Sequence, residues 1–173
     1  MSTITLENNS DAGSLQSTVV TVLIAGLVSL LVWEVWAKVL APLYMGGPLS
    51  PVGLVKSSFG IGKETFGALL NAKSNAVGNA VANGIHLLTG LVAYPVGYGL
   101  VARPLQQKLV PALPWFVTGL VYGTALYVFA MYIMAHLVAG FPPFFNFNGL
   151  SQASLIGHVL VGLSISWVFV NQE

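Results

Sequence analysis

The sequence contains no cysteine and very few charged residues. Without cysteine the chain forms no disulfide, no thiolate metal site and no cysteine nucleophile. Six basic and five acidic residues make up 6% of the 173 residues, against roughly 25% in an average soluble domain. A water-facing surface cannot be built from so few charges, and a formal net charge of +1 gives no reason to expect a nucleic-acid partner. Membrane lipids are therefore the expected surroundings.

Long apolar stretches take the place of the missing charges. A helix needs roughly 20 apolar residues to cross a bilayer. Four such stretches are present, at about residues 18–41, 83–102, 114–139 and 152–170. Their length favours helices over the shorter alternating segments of a transmembrane barrel. We predict an all-α fold, a four-helix transmembrane bundle that spans residues 18–173 and follows a polar segment at residues 1–17.

The connections between the predicted helices differ in length. The first, residues 42–82, is long and carries Lys56, Lys63 and Lys73 among apolar residues, which predicts short amphipathic helices on the membrane surface. The second connection is short, and we place Arg103 and Lys108 in it. We call the side of the membrane that carries the first and third connections side B.

Every histidine of the chain falls in the side-B half of the bundle. His86 and His158 lie near the starts of the second and fourth predicted helices, and His136 lies near the end of the third. Glu34 and the interfacial marker Trp33 lie near the end of the first. Ionisable groups inside a membrane are candidates for a functional site.

Two kinds of ligand suit these residues. Three imidazoles and one carboxylate, from His86, His136, His158 and Glu34, could hold a transition metal such as zinc, iron or copper. Alternatively, His86 and His158 could ligate the iron of haem b. Each of these two begins a His-x-x-x-Gly-Leu sequence, whose glycine one turn later would leave room for a flat macrocycle.

Simpler interpretations stand beside these hypotheses. Glu34 and Lys38 are four residues apart in the order that favours an ion pair on one helix. His136 is close enough to a helix end to hydrogen-bond a backbone carbonyl there. The polar groups together could also lock the helices through hydrogen bonds. Gly119-x-x-x-Gly123 predicts a close approach of the third helix to a neighbour.

Several short motifs resemble those of a family of uncharacterised four-helix bacterial and archaeal membrane proteins. They include the segments Ala25-Gly26-Leu27-Val28, Gly46-Gly47-Pro48-Leu49-Ser50-Pro51, Gly84-Ile85-His86, Gly119-Leu120-Val121-Tyr122-Gly123 and Leu155-Ile156-Gly157-His158. The resemblance implies four helices and histidines at the positions of His86 and His158, and it implies no activity. The lysine-bearing insert at about residues 56–83 departs from the family pattern and suggests a docking surface particular to this chain.

Three functions remain open from the sequence. Small size and few polar groups inside the bilayer favour a non-catalytic accessory subunit that packs against other integral membrane subunits of a respiratory or photosynthetic complex. A haem- or metal-binding redox protein is the first alternative, and a small transporter or channel is the second. The expected location is the bacterial inner membrane.

Overall fold

The computed structural model describes residues 4–47, 49–60 and 76–172, including the side chains from residue 16 onward except those of residues 76 and 77. Within these ranges the chain forms helices and turns and no strand. Residues 61–75, which include Lys63 and Lys73 of the predicted surface helices, lie outside the described ranges.

Five helices make up the described chain. Helix α1 consists of Ile4–Val35, the π-helical turn Trp36–Leu40 and Ala41–Met45 in succession, and Gly46, at a φ of 75°, ends it. The short helix α2 is Val52–Ser58. Helix α3 begins with Ala76–Leu88 and continues without a break through Arg103–Leu109. Helix α4 joins Trp115–Val128 to the π-helical Phe129–Val138, and α5 is Gly149–Gln172.

Four of the five helices are long and apolar enough to cross a membrane. The candidate spans are Gln16–Met45 of α1, Gly78–Leu109 of α3, Trp115–Val138 of α4 and Gly149–Gln172 of α5. Large apolar side chains cover their outer faces, for example Leu31 at 65%, Leu100 at 72% and Val121 at 63% exposure. Such a surface belongs in lipid rather than in water. The predicted all-α bundle with four spanning helices is confirmed, and the chain is a multi-pass membrane protein.

The placement of Arg103 and Lys108 in a connection is wrong. Both residues lie in the last helical segment of α3, Arg103–Leu109. The helix continues through Pro104 directly after the π-helical turn Tyr98–Ala102, in which the N–H of Arg103 bonds the carbonyl of Tyr98, five residues earlier. The wider π-helical turn gives the proline ring room beside the preceding carbonyls. The side-chain amide of Gln106 then donates to the carbonyl of Val110 at 3.2 Å and caps the helix.

Helix α5 is the centre of the bundle and packs against both α4 and α1. A Cβ on Gly123 of α4 would lie 2.5 Å from the carbonyl oxygen of His158 and 2.6 Å from the Cα of Val159. Gly119 meets Gly162 and Leu163 in the same way, with a Cβ only 2.9 Å from the Cα of Leu163. The close approach predicted from Gly119-x-x-x-Gly123 is confirmed, and the backbones of α4 and α5 are in direct contact.

A tryptophan hydrogen bond ties α1 to α5 at the side-B end. Trp36 Nε1 donates to the carbonyl of Ala153 at 2.8 Å. We expect Trp36→Phe to lower the free energy of unfolding by about 1 kcal/mol, since the ring's packing is kept and one hydrogen bond is lost. Unfolding in mixed micelles titrated with sodium dodecyl sulfate measures this. Trp167→Phe, at a tryptophan of α5 that is 49% exposed, is the control; equal losses in the two variants would contradict the assignment.

Candidate functional site

The structure divides the four predicted ligands into two groups. Glu34 forms an ion pair with Lys38, and both side chains reach the outer surface of α1, at 32% and 71% exposure. His136 hydrogen-bonds through Nδ1 to the carbonyl of Phe141 at 2.8 Å. Only His86 and His158 lie on a common cavity. In the described part of the chain, no three histidine, aspartate or glutamate side chains are grouped closely enough to hold a metal ion.

The cavity shared by His86 and His158 has a volume of about 670 Å³ and lies in the side-B half of the bundle. This is within the roughly 300–1,000 Å³ of small-molecule sites. All five helices contribute to its walls, and so does the turn after α4 through Phe141 and Phe145. Most of the lining is aliphatic, aromatic or methionine. The two imidazoles are therefore polar groups in an otherwise largely apolar chamber.

Helices α3 and α4 touch at Tyr94 and Tyr122, and their side-B portions line the cavity. The hydroxyl of Tyr122 on α4 donates to the carbonyl of Tyr94 on α3 at 2.6 Å. Gly97 makes room for that hydroxyl, since a Cβ there would lie 2.9 Å from it. Beyond this contact the two helices face each other across the cavity.

Helix α2 spans the gap between α3 and α4 at side B. Its Val52 and Val55 pack against Ala82 of α3, and the hydroxyl of Ser58 donates to the carbonyl of Met134 on α4 at 3.3 Å. Leu54 and Val55 face the chamber. The part of the long first connection that the structure describes is thus a wall of the cavity.

π-Helical turns lie on both long walls. The turn Thr89–Ala93 of α3 contributes Thr89 and Gly90 to the lining, and the segment Phe129–Val138 of α4 contributes Phe129 and Met134. A π-helical turn widens the helix by one residue, and such turns are frequent at functional sites. Nothing in the sequence periodicity indicated them.

The indole ring of Trp33 contacts the imidazole rings of both His86 and His158. The indole lies 5.7 Å from the imidazole of His86 and 5.2 Å from that of His158, centroid to centroid. The indole is only 7% exposed, and Gly157 provides the notch for it, because a Cβ on Gly157 would lie 2.7 Å from Cζ3 of Trp33. The sequence marked Trp33 for its depth near the interface, but not for its orientation toward the histidines.

The two imidazoles differ in their hydrogen bonds. His158 Nδ1 lies 2.8 Å from the carbonyl oxygen of Ser154, one turn earlier on α5, and 3.2 Å from the Ser154 hydroxyl. His86 Nε2 is buried and has no hydrogen-bond partner among the described residues. A buried polar atom without a partner is uncommon in a folded protein, so this nitrogen is a candidate to bind a polar group of a ligand.

Of the hydroxyls on the cavity wall, that of Ser58 is bound to α4, and those of Ser29, Thr89 and Ser154 are bound within their own helices. Ser29 donates to the carbonyl of Gly26 at 3.1 Å, and Thr89 donates to that of Ile85 at 2.8 Å. Ser154 is engaged with His158. The histidine nitrogens are therefore the polar groups best placed to recognise a ligand.

The two glycines of the repeated His-x-x-x-Gly-Leu sequence are not equivalent. Gly90 faces the cavity, and a Cβ there would have only the methyl group of Leu30 nearby, at 3.8 Å. The space beside Gly162 is occupied by the backbone of α4 at Gly119 and Gly123. Space for a macrocycle beside the second glycine is thus taken up by helix packing.

The turn after α4 is strained. Phe144 and Phe145 both have a φ of 49°, and Asn146 and Phe147 follow at 53°, a conformation that side chains rarely adopt. Phe144 stacks on Tyr127 at 5.5 Å and on Tyr132 at 5.3 Å, which helps to hold the turn. Phe145, in the same turn, lines the cavity. Strained backbone is concentrated at ligand sites in many proteins. The sequence of this turn gave no indication of the strain.

No protein-family model, curated protein or solved structure matches this chain. The resemblance to four-helix bacterial and archaeal membrane proteins stays a prediction.

Proposed function

We propose that this protein binds a lipid-soluble small molecule in the side-B cavity, with its polar head group at His86 and His158. The observation that carries the proposal is the pairing of a largely apolar chamber of about 670 Å³ with two imidazoles, one of which has a buried nitrogen with no partner among the described residues. Apolar walls with a few convergent polar groups are the usual form of a small-molecule site.

The position of the cavity inside the spanning bundle requires a ligand that is soluble in lipid. The cavity lies between the spanning helices α1, α3, α4 and α5. A molecule that enters from the bilayer must dissolve in it. Its tail is then accommodated by side chains such as Leu30, Leu126 and Met131, and its head group by the histidines.

A haem between the two imidazoles is a weaker candidate. The indole of Trp33 contacts both rings, and Gly162 is occupied by α4. A macrocycle would have to displace one of these contacts. The haem, metal, accessory-subunit and transport functions, and the bacterial inner membrane as the location, stay predictions.

Filling the cavity tests the proposal. Gly90→Phe directs a side chain into the chamber from a position that has room for a Cβ. We expect saturable binding of 4-nonylphenol to the protein in lipid nanodiscs, measured above the partition into empty nanodiscs, to fall at least about tenfold in this variant, since the ring occupies the ligand's volume.

Gly84→Phe is the matched control. Gly84 lies on the same helix, is exposed and has no atom within 4 Å of a Cβ, so the same side chain projects away from the chamber. Binding should be unchanged there. Saturable binding that is equal in the wild type and Gly90→Phe, or absent from the wild type, would contradict the proposal.

A further inference from the structure

The hydrogen bonds of His158 determine which of its nitrogens carries the proton. The carbonyl oxygen of Ser154, 2.8 Å from Nδ1, can only accept a hydrogen bond. Nδ1 must therefore be the N–H of the ring. The Ser154 hydroxyl, at 3.2 Å from the same nitrogen, is able to accept from it as well.

The second nitrogen, Nε2, then carries a lone pair. His158 is 6% exposed and lies inside the bundle, where a charged imidazolium would need an anionic partner. Glu34, the carboxylate within the described spans, is paired with Lys38 on the surface of α1. A neutral His158 with its proton on Nδ1 can accept a hydrogen bond at Nε2 but cannot donate one.

The lone pair on Nε2 of His158 restricts the chemical class of the ligand, because it requires a hydrogen-bond donor. A ketone, ester or quinone offers acceptors only and would face a second acceptor at His158. A hydroxyl group offers a donor. A metal ion could also bind a lone pair, but no group of three metal-ligating side chains is present in the described ranges.

The surroundings favour a ring as the carrier of the hydroxyl. Trp33 contacts both imidazoles, and Tyr94 lies 6.4 Å from that of His158, centroid to centroid. Phe129 and Phe145 line the same chamber. Aromatic side chains pack well against a flat ring by offset stacking or edge-to-face contact.

We propose that the ligand is a lipid-soluble phenol, whose hydroxyl donates to Nε2 of His158 while His86 provides a second polar contact to the same head group. This inference rests on the proposed function and names the class of molecule that the cavity takes. Both histidines line the same cavity and both contact Trp33.

A pair of probes tests the inference. 4-Nonylphenol and its methyl ether, 4-nonylanisole, have the same ring and tail, but only the phenol has a hydroxyl to donate. We expect the protein in nanodiscs to bind the phenol at least about tenfold more tightly than the ether, as expected for one hydrogen bond made in a largely apolar cavity. Equal saturable binding of both probes would overturn the inference and leave cavity binding intact. Saturable binding of neither would overturn the proposed function as well.

The protonation of His158 is tested without any ligand. In the protein labelled with ¹⁵N-histidine, nuclear magnetic resonance distinguishes a neutral ring protonated at Nδ1 from one protonated at Nε2 and from a cation. The signal of His158 is identified by its loss in His158→Gln. We expect the neutral ring with its proton on Nδ1; either of the other two forms would overturn the inference.

Discussion

Gly26→Ala is expected to disrupt the bundle more than any other substitution that adds a single methyl group. A Cβ at this position of α1 would overlap the backbone carbonyl of Leu91 on α3, with the Leu91 Cα only 3.0 Å away. Backbone atoms cannot turn aside as a side chain can, so the two helices must separate. We expect the free energy of unfolding to fall by more than about 3 kcal/mol, beyond the usual cost of overpacking a core.

Unfolding in mixed micelles titrated with sodium dodecyl sulfate measures this loss. Gly84→Ala on α3 is the matched control, because a Cβ there meets no atom within 4 Å, and we expect its effect to stay within about 0.5 kcal/mol. Gly162→Ala, whose Cβ would meet Gly123 Cα at 2.6 Å, tests the α4–α5 contact by the same mechanism and should be severe. Similar small effects in all three variants would contradict the backbone contacts described here.

His158→Phe is expected to remove the preference of the cavity for a phenol. The substitution keeps an aromatic ring beside Trp33 and Tyr94 but takes away the nitrogen that accepts the hydroxyl's hydrogen bond. We expect the affinity for 4-nonylphenol to fall about tenfold, which corresponds to about 1.4 kcal/mol. The affinity for 4-nonylanisole should be unchanged, because the ether makes no hydrogen bond that depends on His158.

His136→Phe is the control for this substitution. His136 lies in the same half of the membrane, but its Nδ1 is bound to the carbonyl of Phe141 and its ring does not line the cavity. Its replacement should leave both affinities unchanged. Equal losses in His158→Phe and His136→Phe, or a loss for both probes in His158→Phe, would show that the substitution acts through folding and not through the proposed hydrogen bond.

The architecture could be predicted from the sequence because a bilayer imposes simple requirements. A spanning helix needs a certain length of apolar residues, so the four spans follow from composition. Close helix contact in lipid requires small residues, so Gly119 and Gly123 marked the packing of α4 in advance. The end of α3 was missed because Pro104 and two basic residues are typical of a loop, whereas the helix continues through Pro104 after the π-helical turn Tyr98–Ala102.

The candidate site could be predicted only in part. The sequence placed three histidines in one leaflet, but it could not separate His136, which is bound to the turn at Phe141, from His86 and His158. The cavity depends on the divergence of α3 and α4 beyond the contact between Tyr94 and Tyr122, on the position of α2 and on the π-helical turns. The divergence of the helices and the position of α2 are tertiary features that no local pattern of residues encodes. The π-helical turns are local, but the periodicity of the sequence does not indicate them.

Photoaffinity labelling of the wild-type protein in lipid nanodiscs shows whether a phenol occupies the side-B cavity. A phenol with a diazirine in its alkyl tail would be bound, activated by light and located by mass spectrometry of the peptides. We expect labels on cavity residues such as Leu30, Leu126 and Met131, and we expect excess 4-nonylphenol to remove them. Labels confined to outward-facing side chains such as Leu31, Leu100 and Val121, unaffected by the competitor, would contradict this expectation.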